Sequence, residues 1–314
     1  MRFRHLGKTG LRVSELALGT WGLSGDGYGP VEPRVQANVL ARALDMGVSL
    51  VDTADAYGAG QMELLLGRML SERRDVVVVT KGGTDLSTLP PRKRFDPEYL
   101  RRSVERSLKR LARDRIDVYL LHNPSLVTLV RGEASTALVG LKNEGKIGHW
   151  GASVGDVESG RAAVDAGAEV IELAYNLMRP TDLHRLAGDI MVRGTGILAR
   201  STLAHGLLAG GWPRAREFGA GDHRAERWPP AVLQARIDQL SALQFLVRGE
   251  VRSLRAAAVR FVLSNSIVSS AVLGPRTVEQ MEELVRETGM GPIYLQDDDL
   301  MRIARALQGI GIDP

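Results

Sequence analysis

The sequence predicts an α/β fold, a (β/α)8 TIM barrel with an N-terminal β-hairpin and an extra C-terminal helix, forming one domain over residues 1–314. Three observations predict it. Strand-like apolar runs alternate with helix-period stretches eight times. Those runs are nearly continuous in apolar residues, as in a parallel sheet covered on both faces. Polar residues also stand where three successive runs end: Asp52, Lys81 and His122. An open doubly wound sheet is the structural alternative.

Taken in order, residues 2–14 read as a hairpin turning at Gly7-Lys8-Thr9-Gly10. Strands follow at 16–18, 48–51, 76–79, 118–121, 149–152, 170–173, 196–199 and 269–273. Helix periodicity marks 33–46, 62–70, 97–111, 134–143, 157–166, 183–192, 251–263 and 278–287. Asp96-Pro97 supplies an N-cap followed by a proline at the first helical position. Gly47, Gly145 and Gly167 stand where helices stop. Two stretches break the rhythm. Residues 203–230, rich in Gly, Pro and Arg, read as a long surface loop, and 297–307 as the added terminal helix.

Composition narrows the function classes. With 25% charged and 44% hydrophobic residues the chain is ordinary for a soluble globular protein. It has no cysteine, which excludes disulfides, thiolate metal sites and a cysteine nucleophile. No signal-like or membrane-spanning apolar run is evident, so a cytoplasmic location is expected. The net charge of +4 comes from basic residues spread among many acids, so nucleic acid is not expected as a partner. The densest basic run, Arg92-Lys93-Arg94, reads as a solvated loop at most touching a site rim. Only six of the 41 basic residues are lysines. A lysine at a strand end therefore invites a functional reading, because an ammonium pKa can be tuned and a guanidinium cannot.

Two motifs mislead. Residues 140–146 resemble a phosphate-binding P-loop, but Ile147 follows instead of Ser or Thr, and the segment ends a helix. Gly194-Thr195-Gly196-Ile197-Leu198-Ala199 mimics a dinucleotide fingerprint but runs into a strand, not out of one. The six histidines show no metal-binding spacing, and no metal is expected.

In such a barrel all strand C-termini share one face, where active sites lie. Asp52, Lys81 and His122 close strands two, three and four, and Tyr57 follows in the loop after strand two. A free phenol titrates near pH ~10, and an adjacent ammonium lowers that value. Lys81, held by Asp52, is expected to act on Tyr57 in this way, with His122 orienting the same oxygen. The set suits protonation of a carbonyl oxygen while hydride reaches its carbon. Each residue also has a plain structural use, as turn, cap or buried hydrogen-bond partner. It is the concentration at successive strand ends that favours catalysis.

Val51-Asp52-Thr53-Ala54-Asp55-Ala56-Tyr57-Gly58, Thr80-Lys81 and Leu120-Leu121-His122-Asn123-Pro124 resemble the signatures of the aldo-keto reductases. The resemblance extends over nearly the whole chain, beginning with the hairpin Arg4–Ser14. It implies a nicotinamide cofactor, usually NADPH with NADH as the alternative, and carbonyl–alcohol interconversion. It also implies that Tyr57 is the general acid, tuned by Lys81 and Asp52, and that His122 positions the carbonyl.

By the same resemblance the nicotinamide carboxamide meets Ser153 and a Gln on strand six. Val154 replaces the family's Asn, and Glu172 replaces the Gln. Arg200 stands where an aromatic ring often stacks on the nicotinamide. Ser201, Leu203 and Gly206 match the pyrophosphate loop, although Thr202 replaces a common Pro. Gly274 and Arg276 match the adenosine end, with Arg276 the candidate for a 2′-phosphate, and Gln280 and Glu283 expected to face adenine. Trp21 is the expected wall of the substrate pocket.

Three readings follow. The first is an NADPH-dependent reductase of a small aldehyde or ketone. The second is a nicotinamide-nucleotide sensor or regulatory subunit with little turnover, favoured by Val154, Glu172 and Arg200. The third is a barrel lyase or isomerase using the same acid–base set.

Overall fold

The computed structural model describes residues 1–288 and 295–313. Eight parallel strands close into a barrel in sequential order. They are β1 Leu16–Gly19, β2 Leu50–Asp52, β3 Val77–Gly82, β4 Ile116–His122, β5 Ile147–Ser153, β6 Val170–Ala174, β7 Gly196–Arg200 and β8 Val268–Leu273. Helices α1 Pro33–Asp45, α2 Gln61–Leu70, α3 Pro97–Leu111, α4 Glu133–Asn143, α5 Val157–Asp165, α6 Thr181–Arg193, α7 Leu254–Ser264 and α8 Val278–Thr288 follow the strands in turn. A last helix spans Asp297–Gly309. No helix among the described residues is long and apolar enough to cross a membrane.

Side-chain alternation along each strand explains both the core and the site. Leu50, Val77, Val79, Val118, Leu120, Val170 and Leu198 form one buried cluster, the barrel interior. Asp52, Lys81, His122, Glu172 and Arg200 continue these same alternate positions one step further along their strands. The intervening residues, among them Val51, Val78, Tyr119, Leu121, Ile171 and Ile197, pack outward with the helices. The site is thus the polar top layer of an otherwise apolar barrel.

The hairpin pairs Phe3–His5 with Arg12–Ser14 and lies under the barrel floor. Leu6 and Val13 join the interior cluster from below. Gly7 has φ +55, and a Cβ there would stand 2.3 Å from the Gly196 backbone nitrogen. Asp96 caps α3 as expected, its carboxylate accepting from Tyr99 N at 2.9 Å.

The 203–230 stretch differs from expectation. It contains a 3-10 turn at Ala204–Ala209 and a short helix at Arg224–Arg227. Ala204, Leu207, Leu208 and Trp228 are buried, so it is a packed cover and not a free surface loop. Trp212 packs edge-on against Phe218 and Trp228 at centroid distances of 5.6 and 5.4 Å. A further helix at Pro230–Leu240, unassigned from sequence, follows it. A short helix at Leu126–Arg131 was also missed.

Candidate active site

Lys81 lies on the inner face of β3 and is 1% exposed. Its Nζ makes an ion pair with Asp52 Oδ1, donates to the Thr53 carbonyl at 3.0 Å and stands 3.4 Å from Glu172 Oε2. Burial opposes charge on Lys81, but Asp52 and Glu172 more than offset this and hold it above its usual range. Burial and then the Glu172 charge push the Asp52 carboxyl up, against the pull of Lys81.

Tyr57 opens a 3-10 turn, Tyr57–Gly60, in which Gly58 and Ala59 have φ of 57° and 50°. The preceding loop is tied to β3: Thr53 N donates to the Val79 carbonyl and Asp55 N to the Lys81 carbonyl. Asp26 accepts from Gly58 N at 2.7 Å, a support that nothing in the sequence announced. These ties place the Tyr57 ring centroid 5.4 Å from Lys81 Nζ and 5.9 Å from the His122 ring, which meets it edge-on.

Two electrostatic results decide what this cluster can do. Burial raises the Tyr57 phenol above its ordinary value, with Lys81 opposing and Asp52 and Glu172 reinforcing. Lys81 pulls the phenol down as expected, but burial outweighs that pull and the net shift is upward. The two carboxylates facing Lys81 weaken its hold on a phenolate, so Tyr57 is a protonated donor at neutral pH. Burial, followed by the charges of Lys93, Lys81 and Arg200, holds His122 well below its usual range. It is therefore a neutral imidazole, and its buried Nδ1 has no hydrogen-bond partner. Lys93, from the basic run read as a solvated loop or a site rim, takes the second place and donates to the His122 carbonyl at 2.7 Å.

The positions expected at a nicotinamide surround this cluster. Ser153 is buried at the end of β5 beside His122. Glu172 is buried on β6, and its Oε2 has no hydrogen-bond partner. Arg200 ends β7 and reaches across to the Val154 carbonyl at 2.9 Å. An orphaned buried acceptor beside a buried ammonium fits a ligand that brings an amide N–H, as a carboxamide does.

Further out, Ser201 takes a positive φ of 54°, and its carbonyl accepts from Asn176 Nδ2 at 2.9 Å. Leu203 and Gly206 close a turn in which Gly206 N donates to the Leu203 carbonyl. Gly274 backs onto Gly22, where a Cβ would come within 3.0 Å of the Gly274 carbonyl oxygen. Arg276 is committed elsewhere, donating to the carbonyls of Tyr28, Gly29 and Pro30 at 2.8, 2.9 and 3.1 Å. Gln280 accepts from Arg276 N at 2.8 Å, and Glu283 pairs with Arg255 at 2.7 Å. Trp21 packs on Tyr28 and His223 at centroid distances of 5.1 and 4.9 Å, at the junction of the β1 loop and the 203–230 cover. A separate cavity of about 330 Å³ is lined by Asp55, Thr84, Tyr99 and several arginines of α3, and by none of Asp52, Tyr57, Lys81 and His122.

Known proteins resemble this chain in sequence and fold. The Aldo/keto reductase family model matches residues 15–306. An NADH-specific methylglyoxal reductase from Escherichia coli (strain K12) is 30% identical over 325 residues, covering 96% of this chain and 98% of that protein. An L-glyceraldehyde 3-phosphate reductase from the same organism is 29% identical over 306 residues, covering 91% and 87%. The solved structure of a glycerol dehydrogenase from Gluconobacter oxydans superposes with a TM-score of 0.85 at 26% identity, covering 99% and 97%. With the strand-end cluster in place on a closed barrel, the chain belongs to the aldo/keto reductase family and is an oxidoreductase.

Proposed function

We propose that this protein reduces a small aldehyde or ketone to an alcohol, reversibly, with NADPH as the hydride donor and Tyr57 as the proton donor. The observation that carries this is the buried Asp52–Lys81 ion pair set beside Tyr57 and His122 at the barrel mouth. A nicotinamide nucleotide bound at this site would supply the hydride for the carbonyl carbon. Tyr57, held protonated by burial, gives its proton to the carbonyl oxygen as negative charge develops there. The neutral His122 hydrogen-bonds the same oxygen and fixes its direction. Lys81 keeps its charge throughout and stabilises the phenolate left on Tyr57 until solvent returns the proton.

Ser153, Glu172 and Arg200 would hold the nicotinamide end, and Ser201, Leu203 and Gly206 the pyrophosphate. Gly274, Arg276, Gln280 and Glu283 would border the adenosine. Arg276 must leave three backbone carbonyls to grip a 2′-phosphate, which keeps NADH as the alternative cofactor. Trp21 is the proposed pocket wall.

The test is titration with NADPH and NADH, then loss of nicotinamide absorbance across a panel of aldehydes and ketones. Turnover is expected, and Tyr57→Phe should lower it by about 10²–10⁴-fold with nucleotide affinity nearly unchanged. Binding without turnover on any carbonyl would replace this reading with the nucleotide-sensor one. Near-normal turnover in Tyr57→Phe would remove Tyr57 from its role.

A further inference from the structure

We infer that Glu172 biases this site toward the oxidised, cationic form of its nucleotide over the reduced, neutral one, and that Arg200 opposes that bias. The inference rests on the nicotinamide reading above and goes beyond it by assigning a charge-selective residue.

Glu172 is 2% exposed, and its Oε2 has no hydrogen-bond partner. That oxygen stands 3.4 Å from Lys81 Nζ, whose nearer partner is Asp52. One ammonium therefore faces two buried carboxylates. A carboxylate oxygen left without a donor in such a place is costly, and a ligand that brings a donor or a positive charge relieves that cost. A carboxamide N–H is present in both redox forms, so it satisfies the oxygen in either and gives no preference between them. The ring charge exists in the oxidised form alone. Hydride transfer requires the ring beside the carbon whose oxygen Tyr57 holds, and Lys81 lies 5.4 Å from the Tyr57 ring centroid. The ring charge thus falls within the field of the Lys81 cluster.

Arg200 is the opposing charge. Its guanidinium donates to the Val154 carbonyl and lies close enough to act electrostatically on Asp52, Tyr57 and His122. Around the buried Lys81–Asp52 pair, Glu172 adds a carboxylate and Arg200 a guanidinium. An amide at 172 makes the surroundings more positive, which weakens the hold on an oxidised ring. A neutral side chain at 200 makes them more negative, which strengthens it. The two substitutions must therefore move the preference in opposite directions.

The experiment is a substrate-free titration of the parent, Glu172→Gln and Arg200→Met with NADPH and NADP+, and with NADH and NAD+, followed by calorimetry. The readout is the ratio of the Kd of the reduced form to that of the oxidised form. A unit charge within 10 Å at an effective dielectric constant near 20 changes this ratio by about tenfold or more. The ratio should fall by that factor in Glu172→Gln and rise in Arg200→Met. An unmoved ratio in Glu172→Gln, or a shift of the same sign in both variants, overturns the inference while leaving the reductase reading standing. Failure of the parent to bind any of the four nucleotides overturns the reductase reading, and the inference with it.

Discussion

Asp55, two residues before Tyr57, shows what burial does to a single carboxyl. Burial pushes it up to about 6, against a hydrogen bond from Ser103 Oγ at 2.7 Å, and its Oδ1 has no partner. A carboxyl raised in the folded state binds more protons there than in the unfolded chain. Stability therefore falls as pH climbs from the unfolded value, near ~4, through about 6. Asp55→Asn removes that dependence. Between pH 4 and pH 7 the variant should gain about 2–3 kcal/mol relative to the parent, at about 1.4 kcal/mol per pKa unit. Denaturant unfolding of both proteins at the two pH values measures it. A constant difference would mean that Asp55 carries its charge without cost. The same logic marks the limit of sequence reading at this scale. Asp52, Lys81 and His122 were legible because they continue the inward-facing alternation of strands already marked by apolar residues. The upward shift of Tyr57 was not, because it depends on how deeply the ring is buried and on Glu172 lying beside Lys81.

Among elements, the segment around Tyr28 is held by a residue from the far end of the chain. The three carbonyls that Arg276 engages come from Tyr28, Gly29 and Pro30. Tyr28 also bridges to Asp222 of the cover and meets the Trp21 and His223 rings edge-on. Arg276 is thus the clamp that joins the β1 loop to the start of α8. Arg276→Met should loosen that segment locally and leave the barrel intact. Amide exchange of His223, whose N–H donates to the Gly27 carbonyl at 2.9 Å, should quicken by about tenfold or more, since guanidinium hydrogen bonds contribute roughly 1.5–3 kcal/mol. Hydrogen–deuterium exchange of the two proteins compares the rates. Unchanged exchange would show that the aromatic contacts alone hold the loop. Barrel strands and helices were legible because each carries its own periodicity. The 203–230 cover was not, because Trp212, Phe218 and Trp228 order it by packing on one another and on distant segments. The partners of Arg276 and Glu283 were hidden for the same reason, being set by tertiary approach and not by spacing.

At the scale of the whole molecule, the two ends of the barrel carry different tasks. The top layer is polar and buries Asp52, Lys81 and Glu172 at a cost in desolvation. The interior below them is apolar, and the hairpin closes the floor with Leu6, which is fully buried against β-strand side chains that include Leu50, Val118 and Leu198. The hairpin is fixed there from outside as well, since Arg4 donates to the carbonyls of Leu263, Asn265 and Val268. Leu6→Ala should leave a cavity under the interior cluster and cost about 2–5 kcal/mol, a large effect for a residue outside the barrel strands. Because the interior layer of Leu50, Val79 and Leu120 lies between the floor and Asp52, Lys81 and His122, the effects should separate. The unfolding midpoint should fall, while kcat/KM on any substrate found, at a temperature where both proteins are folded, stays within about twofold of the parent. A loss of activity out of proportion to stability would instead show that strain at the floor reaches the Asp52–Lys81 pair. The interior layers would then act as one rigid stack that transmits displacement along the barrel axis, and hairpin residues would belong among the determinants of rate.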